Sequence, residues 1–250
     1  MIVKPASPAE GAEMTGHIEI LRRSLLEKND RSAAENRALL VRKGLAAINV
    51  LGGAGSGKTA ILEGLLPGLR LRGCRPGVLE GDLATTRDAQ RIAALDVPVV
   101  QLLTEGGCHL TAELVRAGLD RLPLDELDVV FIENVGNCVC PANFDLGEHA
   151  RLVVLSVAEG DDKPAKYPHL FATADAIVFA KMDLLARTPF NPDRATRDIR
   201  ALNAQAPIFR TSSDDPTSFE PPEWWVLDEV RRVRAAEAPP SMTRVPAGTR

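Results

Sequence analysis

Apolar and polar positions alternate along this chain in two successive rhythms. From about Thr15 to Lys43, Ile18, Leu21, Leu25, Ala34, Ala38 and Val41 recur at helical spacing. Asn29 and Asp30 interrupt them, which predicts two helices, the second capped by Asp30 or Ser32. After Lys43 short apolar runs alternate with helical segments. The runs cover residues 45–51, 77–80, 97–102, 129–132, 152–157, 176–179 and 207–209. Continuous runs suit strands buried on both faces, and their alternation with helices implies right-handed crossovers and a mostly parallel sheet. Trp224, Trp225 and Leu227 begin a last helix that docks on the core. Residues 1–14, with Pro5 and Pro8 and no period, read as disordered, and residues 236–250 read as a flexible tail. The expected organisation is therefore N-terminal helices over 15–43 and one three-layer α/β domain over 44–235.

Composition narrows the function classes. The 250 residues carry a net charge of −4, which argues against a nucleic-acid binder. No apolar run approaches the roughly 18 residues of a membrane helix. The first residues lack the apolar core of a secretory signal. A cytoplasmic protein is expected, with its four cysteines reduced or metal-bound.

The stretch Gly52-Gly53-Ala54-Gly55-Ser56-Gly57-Lys58-Thr59, leading into Ala60, fits G-x-x-x-x-G-K-[ST]. Glycines let successive N–H groups turn towards phosphate oxygens, Lys58 reaches the β- and γ-phosphates, and Thr59 offers its hydroxyl to Mg²⁺. A strand precedes and a helix follows, adding its dipole. Asp82 and Glu133 end two predicted strands, where open parallel sheets bind ligands. Both are candidates to hold Mg²⁺ or to orient the attacking water; a helix cap at Asp82, or at Thr85 instead, is the structural alternative. Lys181 and Asp183 match the K-x-D part of the guanine signature. Asp183 would accept from guanine N1–H and the 2-amino group, which adenine cannot satisfy. Ala180 stands where that signature has Asn.

Cys108 and His109 are adjacent, and Cys140 follows 31 positions after His109, with Cys138 two before it. Thiolates and an imidazole suit Zn²⁺ or Ni²⁺ equally, although the spacing is not that of a zinc finger and each cysteine taken alone reads as buried core. Cys74 has no such company and reads as core. Glu133 and Cys140 lie seven residues apart, at most about 23–25 Å of extended chain.

The segment from Asn29 to about Ser213 resembles the HypB family of nickel-incorporation GTPases, in the SIMIBI class of P-loop proteins. The motifs that carry the likeness are "GSGKT", "LEGDLATTRDAQRI", "CHL", "IENVGN", "VCPANFDLGE", "GDDKPAKYP" and "KMDLL". The resemblance implies a GTPase that uses GTP/GDP and Mg²⁺ and handles Ni²⁺ or Zn²⁺ during maturation of [NiFe]-hydrogenase. It implies a nucleotide-dependent homodimer, with other maturation proteins and the hydrogenase large subunit as partners. It also implies a metal site built from Cys108, His109 and Cys140 at the dimer interface, and a switch loop over residues 161–164. Departures from the family pattern are Glu105, Thr111, Cys138 and Ala180, and the absence of an N-terminal cysteine or histidine motif. Cys138 is an extra thiol that could add a ligand or replace Cys140. Two other readings are a P-loop small-molecule kinase, for which no Arg-rich lid is legible, and a non-catalytic metal-binding partner whose GTPase has decayed.

Overall fold

A computed structural model describes residues 10–82, 86–104 and 106–237. Thr85 and Glu105, with the segments 1–9 and 238–250, lie outside the described residues. The seven apolar runs form seven strands: β1 (Ala46–Leu51), β2 (Pro76–Asp82), β3 (Val99–Leu103), β4 (Val129–Glu133), β5 (Ala150–Ser156), β6 (Ala176–Ala180) and β7 (Ile208–Arg210). They make one parallel sheet in the order β3-β2-β4-β1-β5-β6-β7. The helices are α1 (Glu10–Arg42), α2 (Lys58–Leu71), α3 (Arg87–Ala93), α4 (Ala112–Leu119), α5 (Lys163–Lys166), α6 (Pro168–Ala172), α7 (Pro192–Leu202) and α8 (Glu220–Glu237).

Each apolar run divides between two faces because successive strand side chains point oppositely. Ile48, Val50, Phe131, Leu152 and Val178 join Leu62, Leu66 and Val226 of α2 and α8. On the other face, Ala47, Val130 and Ile132 meet Leu40 and Val115 of α1 and α4, while Val153, Ile177 and Phe179 meet Ile199 of α7. This is the expected three-layer α/β architecture.

The N-terminal expectation fails at Asn29. Instead of two helices, α1 runs unbroken from Glu10, so residues 10–14 are helical as well. The Asn29 amide donates to Asp145 O at 2.7 Å and accepts from Ala112 N at 3.0 Å, so it docks the helix instead of breaking it. Asn36 donates to Ala112 O and Leu146 O, and Arg37 pairs with Asp145 at 2.8 Å. At the other end, α8 starts at Glu220, ahead of the tryptophans, and includes residues 236 and 237.

Candidate functional site

The carboxyl ends of β1, β2 and β4 surround a cavity of about 490 Å³. Ala54, Gly55, Gly57, Lys58, Thr59, Ala60, Asp82, Glu133 and Lys181 line it. Gly57 sits at φ 98°, a left-handed conformation that only glycine adopts without strain, and delivers the chain into α2. Lys58 is buried, and its Nζ donates to Gly52 O and Gly53 O at 3.4 Å each. Burial lowers its pKa, while Glu133 and Glu159 oppose that shift.

The Thr59 hydroxyl donates to Glu133 Oε1 at 2.7 Å. Burial pushes the Glu133 carboxyl up to about 7, against the Thr59 hydrogen bond and the Lys58 charge. Glu80 faces Glu133 in the β2–β4 register and also lines the cavity. Burial, then the charges of Glu133, Asp82 and Asp88, push it up to about 8. Glu80 Oε2, Glu133 Oε2 and Ser56 Oγ are buried without a partner among the described residues. A divalent cation relieves such crowding of buried acids, so Thr59, Asp82 and Glu133 fit Mg²⁺ as a hard cation with oxygen ligands. Glu80 escaped the sequence reading, although an acid inside a doubly buried strand is the signal that finds it.

Lys181 follows β6 at φ 61° and donates from Nζ to Gly55 O at 2.7 Å. Asp183 lies outside the cavity lining and accepts from Ser212 Oγ at 3.4 Å. Ala180 is buried at the end of β6.

The ligand atoms of Cys108, His109 and Cys140 lie within 4.8 Å of one another. Cys108 Sγ is 3.5 Å from His109 Nδ1, and the His109 ring stacks on Phe144 with centroids 3.8 Å apart. Two thiols and an imidazole form a donor set for Ni²⁺ or Zn²⁺. Cys138 is not part of this group. It packs with the apolar cluster of β5 and β6, and its Sγ lies 3.5 Å from where a Cβ on Gly53 would stand. Burial raises its thiol pKa. Within one chain, then, Cys138 lies apart from the other three, on the side of Gly53 and the β5–β6 cluster. Cys74 is buried, its thiol pushed up to about 11 by burial. Thr111 caps α4 by accepting from Leu114 N. Over residues 161–164, where α5 begins at Lys163, Asp161 pairs with Arg194 and Lys163 approaches Glu159 at 3.8 Å.

The fold and cavity define a P-loop nucleotide-binding protein. The family described as "CobW/HypB/UreG, nucleotide-binding domain" matches residues 46–210. The hydrogenase maturation factor HypB of Escherichia coli K12 is 43% identical over 203 residues, covering 81% of this chain and 68% of that protein. The hydrogenase/urease maturation factor HypB of Helicobacter pylori J99 is 40% identical over 211 residues, covering 83% and 86%. The crystal structure of Helicobacter pylori HypB in complex with nickel superposes with a TM-score of 0.78 at 39% identity, covering 82% of this chain and 96% of that one. That of Archaeoglobus fulgidus HypB gives 0.76 at 32% identity, covering 82% and 100%. The chain belongs to the HypB group of the CobW/HypB/UreG family. Among the described residues no helix is long and apolar enough to cross a membrane.

Proposed function

We propose that this protein hydrolyses GTP with Mg²⁺ and hands on Ni²⁺, or holds Zn²⁺, during hydrogenase maturation. The observation that carries the reading is one connection with two ends. Glu133 at its start accepts from Thr59 beneath the phosphate loop, and Cys140 at its end joins Cys108 and His109. Residues 44–235 act as the GTPase domain. The loop amides and Lys58 bind the phosphates, and Thr59, Asp82 and Glu133 hold Mg²⁺, which neutralises charge on the transferred phosphoryl group. Asp183 reads guanine beside Lys181. GTP binding brings two chains together at the Cys108, His109 and Cys140 face, and other maturation proteins and the hydrogenase large subunit receive the metal.

The test is GTP turnover by purified wild type and Lys58→Ala. Loss of turnover by at least about 10²-fold is expected, because a preorganised cation on the reacting phosphate is removed. Retained turnover would exclude this loop, and inactive wild type would favour the decayed-GTPase reading.

A further inference from the structure

The chain between Glu133 and Cys140 touches the phosphate loop twice. Gly136 lies so close that a Cβ there would stand 2.7 Å from Ala54 Cα. Asn137 pairs its backbone with Gly52 in an isolated antiparallel bridge. Its side chain turns the other way. Asn137 Nδ2 donates to Cys108 O at 3.5 Å, and Oδ1 accepts from Val139 N at 2.8 Å. One residue thus joins the first glycine of the phosphate loop to the main chain of both cysteine-bearing segments.

We propose that Asn137 is a positioning residue that sets the spacing of Cys108 and Cys140 according to the state of the phosphate loop. Gly52 O and Gly53 O hold Lys58 Nζ here, and a bound phosphate competes for that ammonium. Movement of Gly52 is passed to Asn137 through the bridge, and the close approach of Gly136 to Ala54 leaves little slack. The Asn137 amide carries the movement to Cys108 O and Val139 N. The metal group then has different geometry in the two nucleotide states, which is the differential affinity that any coupling requires. Asn134 steadies the far side of the same loop by accepting from Leu110 N at 3.2 Å.

This inference rests on the proposed nucleotide and metal sites, and the experiment separates the two. Nickel ion is titrated into full-length protein with GDP and with a non-hydrolysable GTP analogue, followed by thiolate-to-nickel absorption. Asn137→Asp keeps the acceptor for Val139 N and replaces the donor to Cys108 O by a charged acceptor, and Asn137→Ala removes both side-chain bonds while the backbone bridge remains. The expected result is a wild-type ratio of nickel affinities between the two states that shrinks about fivefold in both variants, the scale of one net hydrogen bond. Without nickel, nucleotide affinity stays within about twofold of wild type, since neither side-chain bond reaches the cavity. An unchanged ratio in both variants overturns the role of Asn137 and leaves the sites standing. Equal nickel affinity in both states of the wild type overturns the coupling itself.

Discussion

The Thr59 hydroxyl and the Glu133 carboxylate share a 2.7 Å hydrogen bond in a buried floor beneath the phosphate loop. Glu133 is held up at about 7 by burial, above its unfolded value. A carboxyl raised in this way gives stability that is present below about pH 4.5 and lost as pH rises through about 7. Glu133→Gln therefore makes the nucleotide-free protein more stable than wild type above about pH 7, by at most about 3 kcal/mol. The same variant loses GTP turnover by at least about 10²-fold. Urea denaturation across that pH range, with turnover assays, checks both outcomes.

Asp183 is the expected reader of the base. Asp183→Asn weakens guanine nucleotide binding and improves xanthine nucleotide binding, whose extra carbonyl seeks a donor. Calorimetry with both nucleotides decides, and unchanged guanine affinity would assign the base to another loop.

Helix α1 is fastened by Asn36, which is fully buried and donates to Ala112 O and Leu146 O. Asn36→Ala removes both of these buried hydrogen bonds and costs about 1–3 kcal/mol. A fall in the urea midpoint with no change in nucleotide affinity is the expected result.

His149 accepts from Ala47 N through Nδ1, and burial, then Arg37 and Arg232, push its pKa down to about 4. A base depressed in the folded state is neutral there while the unfolded chain takes up a proton. Stability from this group is present above about pH 6.5 and lost as pH falls towards about 4. Comparing the pH dependence of the urea midpoint between wild type and His149→Gln isolates the effect, since the glutamine carries no titration.

Much of the fold was legible because doubly buried parallel strands write themselves as unbroken apolar runs, as at residues 129–132. The phosphate loop was legible because glycine spacing and Lys58 answer a single geometric demand. The continuity of α1 was not, because Asn29 reads locally as a breaker while its amide is used by residues more than 80 positions away. Cys138 and Cys140 look alike in sequence, and only the path of the chain separates a thiol against Gly53 from one beside Cys108. An acid inside a buried run marks Glu80, but its place opposite Glu133 comes from the strand register, which no local pattern states.

Linkage between metal and nucleotide sites, if Asn137 carries it, is reciprocal. The most direct measurement is the affinity of the wild type for a non-hydrolysable GTP analogue, with and without nickel ion, beside Cys140→Ala. Nickel is expected to change the wild-type affinity and to leave that of Cys140→Ala unchanged. Identical affinities for the wild type in both conditions would contradict the linkage.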